Sequence, residues 1–323
     1  MEWRTRITEM LGIQYPIIQG AYGGFGTSAI AAPVSAAGGL GIITAGALKT
    51  PEKLQEDIRR ARSMTDKPIG VNLSVGMCPQ IDEMREVCIE ETIPVVETAV
   101  FRADDHGKRL QAAGIKWIHK VATVEHAIVT ARQGVDAVVI VGLEGTGFKS
   151  VKQVPTMLTL ALALKQIQIP VIAAGCIGDG RTFLAALSMG AEAVYIGTAF
   201  MATKECPIPD KHKQMLVDID MNDPKVKDRA LVPPKPEEVD RIMKLRGKIP
   251  ESEWLQKLER VLVKESPDEA PDELDTEEVL RIAPGSLAVG LINRIPTVKE
   301  FIDEIITEAE ETLKSRKFLA PRS

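Results

Sequence analysis

The sequence is poor in aromatic residues, which make up 4% of its 323 positions, whereas alanine, valine and isoleucine are abundant. Small and branched side chains of this kind suit a tightly packed parallel sheet covered by helices. Cysteine is scarce: Cys78, Cys88, Cys176 and Cys206 have neither metal-ligand nor CxxC spacing, and histidines and carboxylates do not cluster at metal spacing either. A reduced, cytoplasmic protein without a bound metal is the expectation. The opening MEWRTRITEMLG is too polar for a signal peptide, and no apolar run approaches the length of a membrane span. Neither a basic stripe nor an arginine-rich tail is present, and the net charge of −5 comes from interleaved signs. Nucleic acid and membrane are therefore not expected partners; a small molecule is. A GxSxG elbow and a Walker loop are also missing.

What is present is a regular alternation over the first 200 residues. Eight short apolar runs occur: Pro16–Gly20, Leu40–Ala45, Ile69–Val75, Val95–Val100, Trp117–Val121, Ala137–Leu143, Val171–Gly175 and Ala193–Phe200. Most are uniformly apolar, as strands buried on both faces are. Helical patterns separate them. Thr50-Pro51-Glu52 opens one helix, and Asp179 caps another that runs to Met189. Eight strands alternating with helices predict an α/β fold, a (β/α)8 TIM barrel, with an open doubly wound sheet as the alternative. Residues 205–284 break the pattern with proline clusters and many charges, including an acidic run at 264–278 that reads as a solvated loop and helix start. They predict a mostly helical insertion, a lid beside the barrel mouth. Residues 1–204 and 285–323 would form the barrel, closed by a helix over Val298–Lys317.

Active sites of such barrels lie at the C-terminal strand ends. Here these are Gln19–Gly23, Ala45-Gly46, Asn72–Ser74, Glu97-Thr98, His119-Lys120, Gly142–Phe148, Ala174–Gly178 and Gly197-Thr198. Two of them are glycine turns on the last two strands: AAGCIGDG (173–180), which leads into a helix, and IGTAF (196–200). Glycine lets main-chain amides approach an anion, and a helix N-terminus favours negative charge. A phosphate cup around Gly175 and Gly197 follows. Lys120 ends the fifth strand facing the mouth, where an ammonium can hold negative charge on a reduced flavin ring. His119 points to the other side of the strand and reads as a packing histidine, while His106, His126 and His212 fall in helical or inserted segments.

Taken in order, these motifs resemble the nitronate monooxygenase family, formerly the 2-nitropropane dioxygenases, related to NAD(P)H:quinone reductases and flavin-dependent enoyl-acyl-carrier-protein reductases. The pieces are RTRITEMLGIQYPIIQGAYG (4–23), AAGGLGIITAG (36–46), GVNLSV (70–75), WIHK (117–120), AGCIGDGRTFLAALSMGAEAVYIGTAFMATKEC (174–206) and GSLAVGLI (285–292). The resemblance implies a barrel holding FMN non-covalently, in a monomer or homodimer. It implies flavin contacts at Ala21, Tyr22, Gly23, Ser74, Lys120 and Thr146, and phosphate contacts at Ala174, Gly175, Cys176, Gly197 and Thr198. One departure is visible. After the sixth strand the family has a glycine-rich segment ending in histidine, but Phe148 stands in that place. The resemblance implies oxidation of a small nitronate-type substrate with oxygen. Phenylalanine neither moves a proton nor donates a hydrogen bond, whereas hydride transfer from NAD(P)H through the flavin to a quinone-like or enoyl acceptor makes a lighter demand there. A non-catalytic flavin or phosphate-ligand barrel, and a barrel lyase or isomerase acting on a phosphorylated substrate, are the readings from other classes.

Overall fold

The computed structural model describes residues 2–263 and 286–315. All eight apolar runs form strands: β1 (Ile17–Gln19), β2 (Gly41–Thr44), β3 (Ile69–Ser74), β4 (Val95–Ala99), β5 (Lys116–Val121), β6 (Ala137–Val141), β7 (Val171–Ala174) and β8 (Ala193–Ile196). They pair in parallel, β2 through β8 each with its sequence neighbour, and β1 with β8. The ring closes between β1 and β2 by a parallel bridge of Ile18 with Leu40, in which Gln19 N donates to Leu40 O and Leu40 N donates to Ile17 O, both at 2.9 Å. This closure decides for the barrel against the open sheet.

Every residue of β2, β6, β7 and β8 is buried, which accounts for their lack of polar alternation. One apolar cluster fills the barrel, with Ile18, Leu40, Ile42, Val95, Ile118, Val139 and Ile172 among its members. The void left inside is about 10 Å³, so the interior is a packed core and not a pore. The N-terminal helix Arg6–Leu11 covers the lower end. Its Ile7 and Leu11 join the interior cluster, and its Arg6 is tied to Glu192 and Gln168 at the starts of β8 and β7. A ligand is thus left the upper end.

The helices begin where their capping residues place them. The Thr50 hydroxyl accepts from Lys53 N, with Pro51 in the first turn of Pro51–Met64. Asp179 and Thr182 form a reciprocal capping box at the start of Gly180–Ser188. Helix Val298–Ser315 packs on Gly180–Ser188 and on Ser28–Ala36, completing the outer ring. The approach requires glycine at position 180, where a Cβ would lie 2.5 Å from Ile305 O. The last two residues of the expected helix, and the acidic run at 264–278, lie outside the described residues.

Among the described residues, 205–263 contain four helices of eight or more residues and no strand: Asp210–Asp218, Pro224–Leu231, Pro236–Met243 and Glu251–Val263. The last of these seats Trp254 against Phe101, after β4, with ring centroids 5.8 Å apart. Lys149 N, after β6, donates to its Leu262 O at 2.9 Å. The helical segment therefore meets the barrel at C-terminal strand ends.

His119 packs outside the barrel, 5% exposed and edge-on to Trp117. The Thr98 hydroxyl accepts from Trp117 Nε1 and meets His119 Nδ1, each at 2.7 Å. With its proton given to His119, the arrangement holds the imidazole neutral, and burial pushes the His119 pKa down to about 4. A lowered histidine pKa contributes stability that is complete above the ordinary value of about 6.5 and is lost as pH falls through about 4. Between pH 7 and pH 4 wild type is expected to lose about 3 kcal/mol more than His119→Gln. Urea midpoints at the two pH values measure the difference, and equal losses would exclude the role.

Candidate active site

The two glycine turns lie on adjacent strands, β7 and β8, at the open end of the barrel. Gly175 and Cys176 both have positive φ, +109° and +53°. That is an uncommon conformation for a cysteine, and it turns the chain sharply after β7. Gly175 is also required sterically, since a Cβ would fall 2.7 Å from Thr156 Oγ1. At Gly197 the situation is the opposite: among the described residues no atom lies within 4 Å of where a Cβ would be, so the chain there borders open space. Gly23, at the end of the β1 junction, borders open space likewise. Among the described residues, none accepts a hydrogen bond from the main-chain amides of Cys176, Gly197 or Thr198. Unspent donors beside an open space are the arrangement an anion needs.

The other expected residues gather around this end. Ala21 donates its amide to the Tyr195 hydroxyl at 2.7 Å. Tyr22 is buried, stacked on Phe25 at 4.8 Å, and its hydroxyl donates to Gly197 O at 2.9 Å, so it backs the β8 turn. Ser74, half-buried, donates to Asn72 Oδ1 at 2.9 Å. Ala174 is buried and its carbonyl accepts from Gly142 N, while Thr198 is buried and Thr146 is exposed on the loop after β6. Lys120 places its ammonium 5.0 Å from the centroid of the Tyr195 ring, and 3.7 Å from where a Gly147 Cβ would stand. Burial pushes the Lys120 pKa down and the Glu97 carboxylate pulls it up.

The loop after β6 is held by a residue that sequence reasoning missed. Lys149 is buried, and its ammonium donates to the carbonyls of Leu143, Gly145 and Ala230. Glu144 accepts from the Thr156 amide at 2.8 Å and hydroxyl at 2.9 Å, fixing the other side of the loop. Phe148, between these anchors, is half-buried. The buried carboxylate of Glu97 was missed as well, although it lies in the strand-end set; a lone charge inside the apolar run VVETAV was its only signal.

A model of one protein family, described as nitronate monooxygenase, matches residues 4–308. The chain belongs to the nitronate monooxygenase family. Among curated relatives, a 5-hydroxy-7a-methyl-1-oxo-octahydro-1H-indene-4-carboxyl-CoA dehydrogenase of Rhodococcus jostii is 36% identical over 210 residues, 65% of this chain and 58% of that protein. A probable nitronate monooxygenase of Staphylococcus aureus is 34% identical over 245 residues, 62% of this chain and 69% of that one. The aligned region thus spans less than two thirds of the dehydrogenase's length. Among solved structures, FabK from Thermotoga maritima superimposes with a TM-score of 0.76 at 33% identity, covering 96% of this chain and 97% of that one. The names in this set are those of redox enzymes wherever they state an activity.

Proposed function

We propose that the protein is an FMN-dependent oxidoreductase whose flavin phosphate rests on the β7 and β8 turns and whose ring lies toward Lys120. One observation carries the reading: open space bordered by Gly197, with uncommitted amides on Cys176, Gly197 and Thr198, at the end of the barrel that also holds a lysine ammonium. The residues fit the group. The amides of Gly175, Cys176, Gly197 and Thr198 would hold the phosphate. Ala21, Tyr22, Gly23, Ser74 and Thr146 would border the ring. When bound, FMN supplies hydride and electron transfer that side chains cannot. Lys120 would steady the negative charge that collects on one edge of the ring, and Phe148 would give an apolar face and exclude water. The four helices of residues 205–263 would serve as a roof over the mouth.

Family membership favours oxidation of a small nitronate-type substrate with oxygen. A second reading, hydride transfer from NAD(P)H to a quinone-like or enoyl acceptor, is favoured by Phe148, because the loop offers no imidazole there for proton handling. Mixing the yellow protein anaerobically with propyl nitronate, NADH or NADPH separates them. Bleaching by a nicotinamide alone rejects the first, and bleaching by nitronate alone rejects the second. If the missing imidazole is what limits nitronate chemistry, Phe148→His is expected to raise kcat/KM for propyl nitronate at least tenfold, of the order expected for one acid–base group. Oxygen uptake measures it.

A further inference from the structure

A hydrogen-bonded chain of side chains crosses the upper end of the barrel and converges on one carboxylate. Ser74 Oγ donates to Asn72 Oδ1 at 2.9 Å, and Asn72 Nδ2 donates to Glu97 Oε2 at 3.1 Å. The Tyr195 hydroxyl donates to the same oxygen at 2.8 Å and accepts from the Ala21 amide at 2.7 Å. Glu97 is 2% exposed, and among the described residues its buried Oε1 has no hydrogen-bond partner. Three strands, β3, β4 and β8, and the chain just after β1 meet through this group. Its ends, Ser74 and Ala21, are residues placed above at the flavin ring, and the Tyr195 ring lies beneath the Lys120 ammonium.

A buried carboxylate with a bare oxygen is costly to keep unless a cation faces it. Tyr195 links the two charges: its hydroxyl sits on Glu97 Oε2 at 2.8 Å and its ring centroid lies 5.0 Å from the Lys120 ammonium, and among the described residues the Lys120 charge acts on Glu97 and the Glu97 charge on Lys120. The hydroxyl of Tyr195 is the remaining titratable group in the cluster, and burial holds it in its neutral form. Each of the two ions supports the other's charge in a site that otherwise disfavours both.

We propose that Glu97 is the positioning residue of the ring site, a buried counter-charge that keeps Lys120 in its ammonium form while ordering Ser74 and Ala21 on either side. This rests on the FMN reading and deepens it. Proton and charge balance follow directly. Without the carboxylate, an enclosed lysine releases its proton to solvent at a lower pH, and the site loses the positive charge that steadies a reduced ring.

The test uses the FMN-loaded full chain of wild type and Glu97→Gln, an exchange that keeps the shape and removes the charge. The midpoint potential of the bound flavin is measured against reference dyes from pH 6 to pH 9. At pH 6 the variant still carries the Lys120 charge, now without its counter-ion, so its potential is expected to lie above wild type. Toward pH 9 the lysine becomes neutral and the difference falls. The expected fall is at least tenfold in the reduction equilibrium, about 30 mV for a two-electron couple. The rate of flavin reduction in the variant is expected to fall in parallel, toward that of Lys120→Met. A constant difference across the pH range overturns the proposal, since a purely structural role of Glu97 would not depend on pH. If Glu97→Gln does not fold, Tyr195→Phe takes its place: it removes one donor from the carboxylate, a smaller change of the same sign supports the proposal, and none overturns it. Wild type that takes up no FMN in a spectral titration overturns the FMN reading and this inference together. A bound flavin with an unresponsive potential overturns this inference alone.

Discussion

Gly197→Val is expected to give a folded, colourless protein. A Cβ at this position meets nothing within 4 Å among the described residues, so the added side chain enters the open space beside the Cys176 and Thr198 amides rather than the core. The substitution therefore occupies the room assigned to a phosphate and leaves strand pairing alone. FMN affinity is expected to fall at least about 100-fold, roughly 2.7 kcal/mol, while the melting temperature of the flavin-free protein moves by no more than about 5 °C. Fluorescence titration with FMN and calorimetry of the apoprotein give the two numbers. Unchanged affinity would remove the anion cup from the account. The contrasting substitution is at Gly175, where a side chain collides with Thr156 and positive φ penalises any residue with a Cβ, so loss of flavin there would be confounded by loss of structure.

Lys120→Met should separate binding from chemistry. Methionine keeps the length and much of the volume of the lysine stem but not its charge. The phosphate cup is untouched, so the protein is expected to remain yellow. Reduction by its donor, followed anaerobically by stopped-flow absorbance, is expected to slow by about 10²–10³-fold, the usual cost of deleting one preorganised group that faces developing negative charge. A variant that reduces at the wild-type rate would show that the ammonium serves packing against the Tyr195 ring and nothing more.

The barrel was legible because its strands are buried on both faces, so that AVVIV and VIAA stand out as unbroken apolar runs. The glycine turns were legible too, since they are made of main chain and need only local sequence. What the sequence could not display were contacts between distant segments. Glu97 meets Asn72 across 25 positions and Tyr195 across 98, and neither partner marks itself as belonging to a site. Lys149 carries no local signal, and only the folded chain brings three carbonyl groups to it, one from 81 positions away. Ring closure through Leu40 was hidden for a related reason: the bridge is a single pair just ahead of β2.

The helix Arg6–Leu11 beneath the barrel, and the solid interior above it, leave the C-terminal strand ends as the one way in among the described residues. Lys149 pins the loop after β6, at that end, to helices Pro224–Leu231 and Glu251–Val263. On the proposed FMN reading, a donor and an acceptor that both need the ring would share that doorway and would take turns, the first leaving before the second arrives.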